Sequence, residues 1–196
     1  MERIDKIFEQ WARIYKPLSH SADPTQKHKT FYRVDTLNAE NEFVRNVNTA
    51  ASPCMAHSTL VDAKLLSNND KIISYLHTEY FLIKQRTVGN RTTFKSDDEA
   101  ATECKVDLAE ICEDFMAFLQ ALNSAANKGL PSLTIGTTED GVFPITGNIR
   151  NTLRGIDLTT CQWGSLPQFK SGWWIFAFQF EVKQPRPLCI STVKYK

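Results

Sequence analysis

The chain has 196 residues, a length that suits one domain with a core large enough to stand without disulfide or metal staples. Apolar residues make up 42% and charged residues 23%, the balance of a globular chain rather than a disordered or fibrous one. A formal net charge of +1 excludes the strong global field that steers a protein onto nucleic acid.

The opening Met1-Glu2-Arg3-Ile4-Asp5-Lys6 has neither the apolar run nor the small-residue cleavage site of a secretory signal. No stretch is long and apolar enough to cross a bilayer, so no membrane partner is expected. Five cysteines, Cys54, Cys104, Cys112, Cys161 and Cys189, are scattered without C-x-x-C spacing. They read as free thiols of a protein made in a reducing cytoplasm.

In chain order, Glu2 to Tyr15 is a predicted helix, with Ile4, Ile7, Phe8, Trp11 and Ile14 on one stripe and Pro17 ending it. Residues 16–30 form a polar, irregular arm that carries Lys16, His20, Lys27, His28 and Lys29. Phe31 to Val34 reads as a short strand and Asn38 to Asn48 as a short helix. After Pro53, Met55 to Val61 and Ile72 to Lys84 are predicted strands, rich in β-branched and aromatic residues. Gly89-Asn90 then marks a projecting hairpin near 86–95, made basic by Arg86, Arg91 and Lys95 around Phe94.

The long helix is the clearest element. Ser96 or Asp97 caps it, and Asp97, Asp98 and Glu99 suit the positive end of its dipole. Cys104, Leu108, Ile111, Cys112, Phe115, Phe118, Leu119 and Leu122 form its apolar stripe, and Gly129 with Pro131 terminates it. Leu133 to Thr137, Asn148 to Leu158 and Trp173 to Val182 are the remaining strand candidates. In the last, Trp174, Phe176, Phe178, Phe180 and Val182 share a face that must be core. Its other face is apolar at the start and polar at the end, so part of it is expected to be covered. Helix, strands, long helix, strands predicts an α+β fold with an antiparallel or mixed sheet. The long helix and the N-terminal helix pack on one side of it. Residues 1–196 form one domain: 1–30 is the N-terminal helix and arm, and 31–196 the α+β core with its hairpin.

The chemistry-bearing motifs are missing. There is no G-x-x-x-x-G-K-[ST] loop, no G-x-G-x-x-G fingerprint and no G-x-S-x-G elbow. His20 and His28 lie in the polar arm and read as solvated. His57 and His77 lie in predicted strands and read as hydrogen-bonded structural residues, with no partner at metal-ligand spacing. Cys54 and His57 would point to opposite faces of a strand, which argues against a nucleophile pair. No catalytic, metal or cofactor site is expected.

The segment from Asp97 to Pro187, preceded by Tyr80-Phe81-Leu82-Ile83-Lys84, carries a further pattern. Val106-Asp107-Leu108-Ala109-Glu110-Ile111-Cys112-Glu113-Asp114-Phe115 leads through a β segment to Gly172-Trp173-Trp174-Ile175-Phe176-Ala177-Phe178-Gln179-Phe180-Glu181-Val182, then Pro185 and Cys189. This resembles the C-terminal half of phage tail-terminator and head–tail connector proteins, especially those of tailed phages infecting Bacteroidetes. The resemblance implies a structural, non-enzymatic virion protein, made in the host cytoplasm, that forms a homo-oligomeric ring in the neck or tail. The implied partners are copies of itself, adjacent portal, connector or tail proteins, and non-specific DNA in the lumen. Subunit contacts are expected from the basic arm and the hairpin, with a neighbour's arm lying against the acidic helix start: Lys27, Lys29, Arg33, Arg86, Arg91, Phe94, Lys95, Asp97 and Asp98. The residues themselves leave open a cytoplasmic α+β binding module and an enzyme with a dispersed site.

Overall fold

The computed structural model describes residues 4–21, 28–34, 51–67, 72–85, 97–166 and 172–185. Three helices, α1 (Ile4–Ile14), α2 (Asp97–Asn127) and α3 (Gly147–Arg154), accompany eight strands among them. The strands are β1 (Phe31–Val34), β2 (Cys54–Ser58), β3 (Asp62–Ser67), β4 (Ile72–Lys84), β5 (Ser132–Thr134), β6 (Val142–Pro144), β7 (Ile156–Ser165) and β8 (Trp173–Pro185). The fold is α+β, as the element order predicts. The expected short helix over Asn38 to Asn48 and the hairpin near 86–95 lie outside the described residues.

The sheet is built around β4 and β8, which pair antiparallel along their full length from Ile72↔Pro185 to Lys84↔Trp173. On the far side of β8 lies β7, also antiparallel. On the far side of β4 two strands follow one another. Antiparallel β2 pairs its C-terminal half through Cys54↔Leu82, and antiparallel β3 its N-terminal half through Asp62↔Leu76. Beyond β2, β1 pairs parallel, which makes the sheet mixed. β5 and β6 form a separate small hairpin.

Strand alternation gives the sheet two unlike faces. One carries Met55, Phe81, Ile83, Phe176, Phe178, Phe180 and Val182, and all three helices pack on it in a continuous core. Phe115 of α2 meets Phe178 with ring centroids 5.2 Å apart, and Phe8 of α1 meets Phe115 at 5.1 Å. Every residue of the predicted α2 stripe is buried. The helix ends where expected. Leu130 N–H donates to the Ala125 carbonyl and Gly129 N–H to that of Ala126, with Gly129 at φ +74, a Schellman close that needs the left-handed region glycine enters freely. The opposite face carries a smaller apolar cluster: Tyr32, Val34, Cys54, Ala56, Leu82, Trp173 and Ile175. The start of the second face of β8 is therefore covered, and its end is polar.

Two strand expectations need correction. Asn148 to Leu158 is not one strand: Gly147–Arg154 is α3, and β7 begins only at Ile156. Ile149, Thr152 and Leu153 fall at three- and four-residue steps, and those three are buried, so helical burial outweighs the β-branched composition. The strand after Pro131 covers only Ser132–Thr134 and pairs with β6, which the sequence did not mark.

Candidate subunit-assembly site

Three strands of the six-stranded sheet present an outer edge with no strand partner among the described residues: β1, β3 and β7. Two of them, β3 and β7, bound the same antiparallel run β3-β4-β8-β7 on opposite sides. Three successive antiparallel pairings leave β3 and β7 running in opposite directions. β3 keeps one register from Asp62 to Leu65 and shifts at Ser67. β7 is regular from Gln162 to Ser165, but a bulge separates Asp157 from Gln162. Within that bulge the Thr160 hydroxyl accepts the Glu181 backbone N–H at 2.9 Å, and Thr159 closes a turn on the Asp157 carboxylate. Leu65 and Leu66 of β3 are 45% and 43% exposed, on opposite faces of the strand.

Between these edges the second face is a polar ladder. Gln162 donates to Gln179, and Gln179 to the Thr78 hydroxyl. Lys64 pairs with Glu181, which also accepts from Ser74 at 2.7 Å, and Lys183 pairs with Asp157. Hydrogen bonds from Lys64 and Ser74 hold Glu181 below the usual carboxylate range, and those from Lys183 and Thr159 do the same for Asp157. Each cation of the ladder is matched by a carboxylate.

The residues expected at subunit contacts fall in different places. Lys29 is exposed, with its ammonium 5.0 Å from the Tyr32 ring centre. Asp98 is exposed in the first turn of α2, and Asp97 opens that helix. Arg33 is engaged within its own chain: Nε donates to Asp5 and Nη2 to Glu9, both at 2.6 Å. Lys27, Arg86, Arg91, Phe94 and Lys95 lie outside the described residues.

A buried polar cluster lies beneath α1, without a motif in the sequence to mark it. His57 Nδ1 and Glu79 Oε1 face each other at 2.7 Å across the β2–β4 register. Burial raises Glu79, with His57 opposing. Burial works against charge on His57, but the Glu79 carboxylate outweighs it and His57 is raised. His77 lies flat on Phe180, ring centroids 5.2 Å apart, with neither ring nitrogen hydrogen-bonded among the described residues. Burial, then the neighbouring His57, push it down to about 4. His57 is thus the hydrogen-bonded structural histidine its strand position predicts, and His77 is not. His20 corrects the reading as a solvated arm residue: it is buried, because Nδ1 accepts the N–H groups of Thr30 and Phe31. Cys54 and His57 do lie on opposite faces: Cys54 belongs to the second-face apolar cluster, and His57 meets Phe8 on the helix side.

Among the described residues no group of three or more side chains could hold a metal ion, and no helix is long and apolar enough to cross a membrane. No protein-family model matches the chain, and no curated protein matches its sequence.

Proposed function

We propose that this chain is a structural, non-enzymatic subunit that assembles head to tail into a ring in the neck or tail of a tailed-phage virion. The observation that carries the assembly is the pair of edges without a strand partner among the described residues: β3 and β7 bound one antiparallel run and point in opposite directions. A neighbour related by rotation about an axis along the strands brings its β3 antiparallel to β7 and keeps its helices on the same face. Unlike patches meeting in this way make a heterologous contact, which closes into a ring when the rotation divides the circle. Backbone hydrogen bonds then join the sheets, as in strand addition to an exposed edge.

The helices face away from the polar ladder, so in such a ring the ladder lines one wall. Because its lysines are already paired, it offers no adhesive field to a polyanion, which suits a lumen that lets DNA pass. The resemblance to tail-terminator and head–tail connector proteins supports the same reading and names portal, connector and tail proteins as neighbours.

Sedimentation and electron microscopy of the purified protein test it. Rings larger than a dimer are expected, and Leu65→Lys with Leu66→Lys, at exposed positions, should shift them toward monomer. A monomer that persists to millimolar concentration and sediments identically with and without the substitutions overturns the edge assembly.

A further inference from the structure

His20 sits where the chain, having completed α1, turns back toward β1. Its own N–H donates to the Ala12 carbonyl at 2.9 Å, so the residue is tied to the last turn of α1. Its ring nitrogen Nδ1 accepts from two consecutive backbone N–H groups, Thr30 at 3.1 Å and Phe31 at 3.2 Å. A backbone N–H only donates. Nδ1 must therefore present a lone pair, and the imidazole must be the neutral tautomer with its proton on Nε2. That nitrogen lies 3.8 Å from the Glu9 carboxylate of α1. One neutral ring thus joins the end of α1 to the start of β1.

We propose that this junction is an acid-operated latch: a proton on His20 Nδ1 removes the acceptor that two backbone N–H groups require and frees α1, with the turn that follows it, from a sheet on which α2 stays docked.

The charged groups around the ring come from every element that meets it. Glu9 and Arg13 belong to α1, Lys29 to the stretch before β1, and Arg33 to β1. Burial holds His20 below the ordinary imidazole value. Glu9 pulls against this, and Arg13, Lys29 and Arg33 add to the lowering. Glu9 is a shared partner, because it also accepts from Arg33. The sheet under α1 repeats the design. His77 is buried without a hydrogen-bond acceptor, stacked on Phe180, which Phe8 of α1 meets at 6.1 Å. A proton there places a second cation beside His57. His57 itself has Glu79 to receive its charge, with Asp5 raising it and Arg33 opposing, so it does not drive release.

The sign follows from proton counts. His20 and His77 are lowered in the docked state, so docking binds fewer protons than release. The docked population falls as pH drops below the ordinary imidazole value of 6.5 and continues to fall until the docked rings titrate. Each pH unit in that window changes the ratio up to about tenfold per histidine.

Hydrogen exchange read by mass spectrometry, near pH 7.5 and about pH 5 and corrected for intrinsic rates, tests the latch on the full chain. Protection of α1 should fall about tenfold relative to the Leu108–Leu122 amides of α2. His20→Asn offers a carbonyl oxygen near the place of Nδ1 and cannot titrate, so its α1 protection should lose most of that pH dependence. Unchanged relative protection in the natural chain, or the same loss in His20→Asn, overturns the proposal. If His20→Asn fails to dock at either pH, ring nitrogen shifts of the natural chain decide. A neutral Nε2–H tautomer that titrates below the ordinary value supports the latch, and a ring already protonated at neutral pH overturns it.

Discussion

Replacing Phe115 with alanine tests the core of the fold at the point where its layers meet. The ring is fully buried and lies within 5.1 to 5.4 Å, centroid to centroid, of Phe8 and Trp11 on α1, Phe81 on β4 and Phe178 on β8. All four contacts are edge-on or steeply tilted, with interplanar angles from 64° to 86°, a geometry that aromatic pairs favour over face-to-face stacking. Removing a buried phenylalanine costs ~3–5 kcal/mol, and the loss of four aromatic partners places this site toward the upper end. A domain of this kind has roughly 5–15 kcal/mol to lose. Urea unfolding should show the midpoint falling by about 2 M with the slope unchanged, for a slope of ~2 kcal/mol/M. A cycle with Phe8→Ala should give a coupling on the order of 1 kcal/mol. A loss below ~1 kcal/mol would sink the packing scheme, and zero coupling would mean that α1 does not rest on α2.

Cys54 and Cys112 should resist alkylation while the fold is intact, since burial pushes both thiols up, Cys112 to about 12; rapid labelling of either by a mass-tagged maleimide contradicts this. Cys161 is half-buried and raised less, to about 11, so it should label before them. The His57–Glu79 pair should stabilise the protein below the ordinary imidazole value and lose that contribution as pH rises through the raised value of the folded state. Urea midpoints of the natural chain and Glu79→Gln should therefore converge as pH rises above the ordinary imidazole value of 6.5, and parallel curves refute the pairing.

What could be read from the chain follows the periods that burial imposes. α2 and β8 are long, each buries one face, and their stripes of Phe115, Phe118 and Leu122, or Phe176, Phe178 and Phe180, stand out against polar neighbours. β3 is hard to see in the sequence because it sits at an edge, where the short alternation Asp62-Ala63-Lys64-Leu65 is broken by Leu66 and both leucines are exposed. α3 was mistaken for a strand because its eight residues span barely two turns, too few for period to outweigh composition. The polar cluster was hidden for another reason. His20 is buried by two backbone N–H groups ten and eleven residues further on, and backbone donors carry no residue type. Arg33 read as a surface cation because its carboxylates, Asp5 and Glu9, come from a helix whose docking no local pattern announces.

The division of the sheet's second face bears on which edges can join. Its apolar half lies toward β1 and β2, where Trp173 and Ile175 are already buried. Its polar half lies between β3 and β7, so an incoming strand meets hydrogen-bonding edges beside a polar ladder, and Leu65 and Leu66 are the exposed large apolar side chains of the β3 edge. Self-pairing of like edges is disfavoured. Two β7 strands would bring their bulges together, and bulges terminate ladders. Two antiparallel β3 strands would crowd Lys64 against its copy, and like charges set opposite one another repel. Pairing β3 with β7 avoids both penalties, since the regular stretch of β7 presents Gln162 and Gly164 on the face that bears Lys64. The edge chemistry therefore favours the unlike, ring-forming contact over either symmetric dimer.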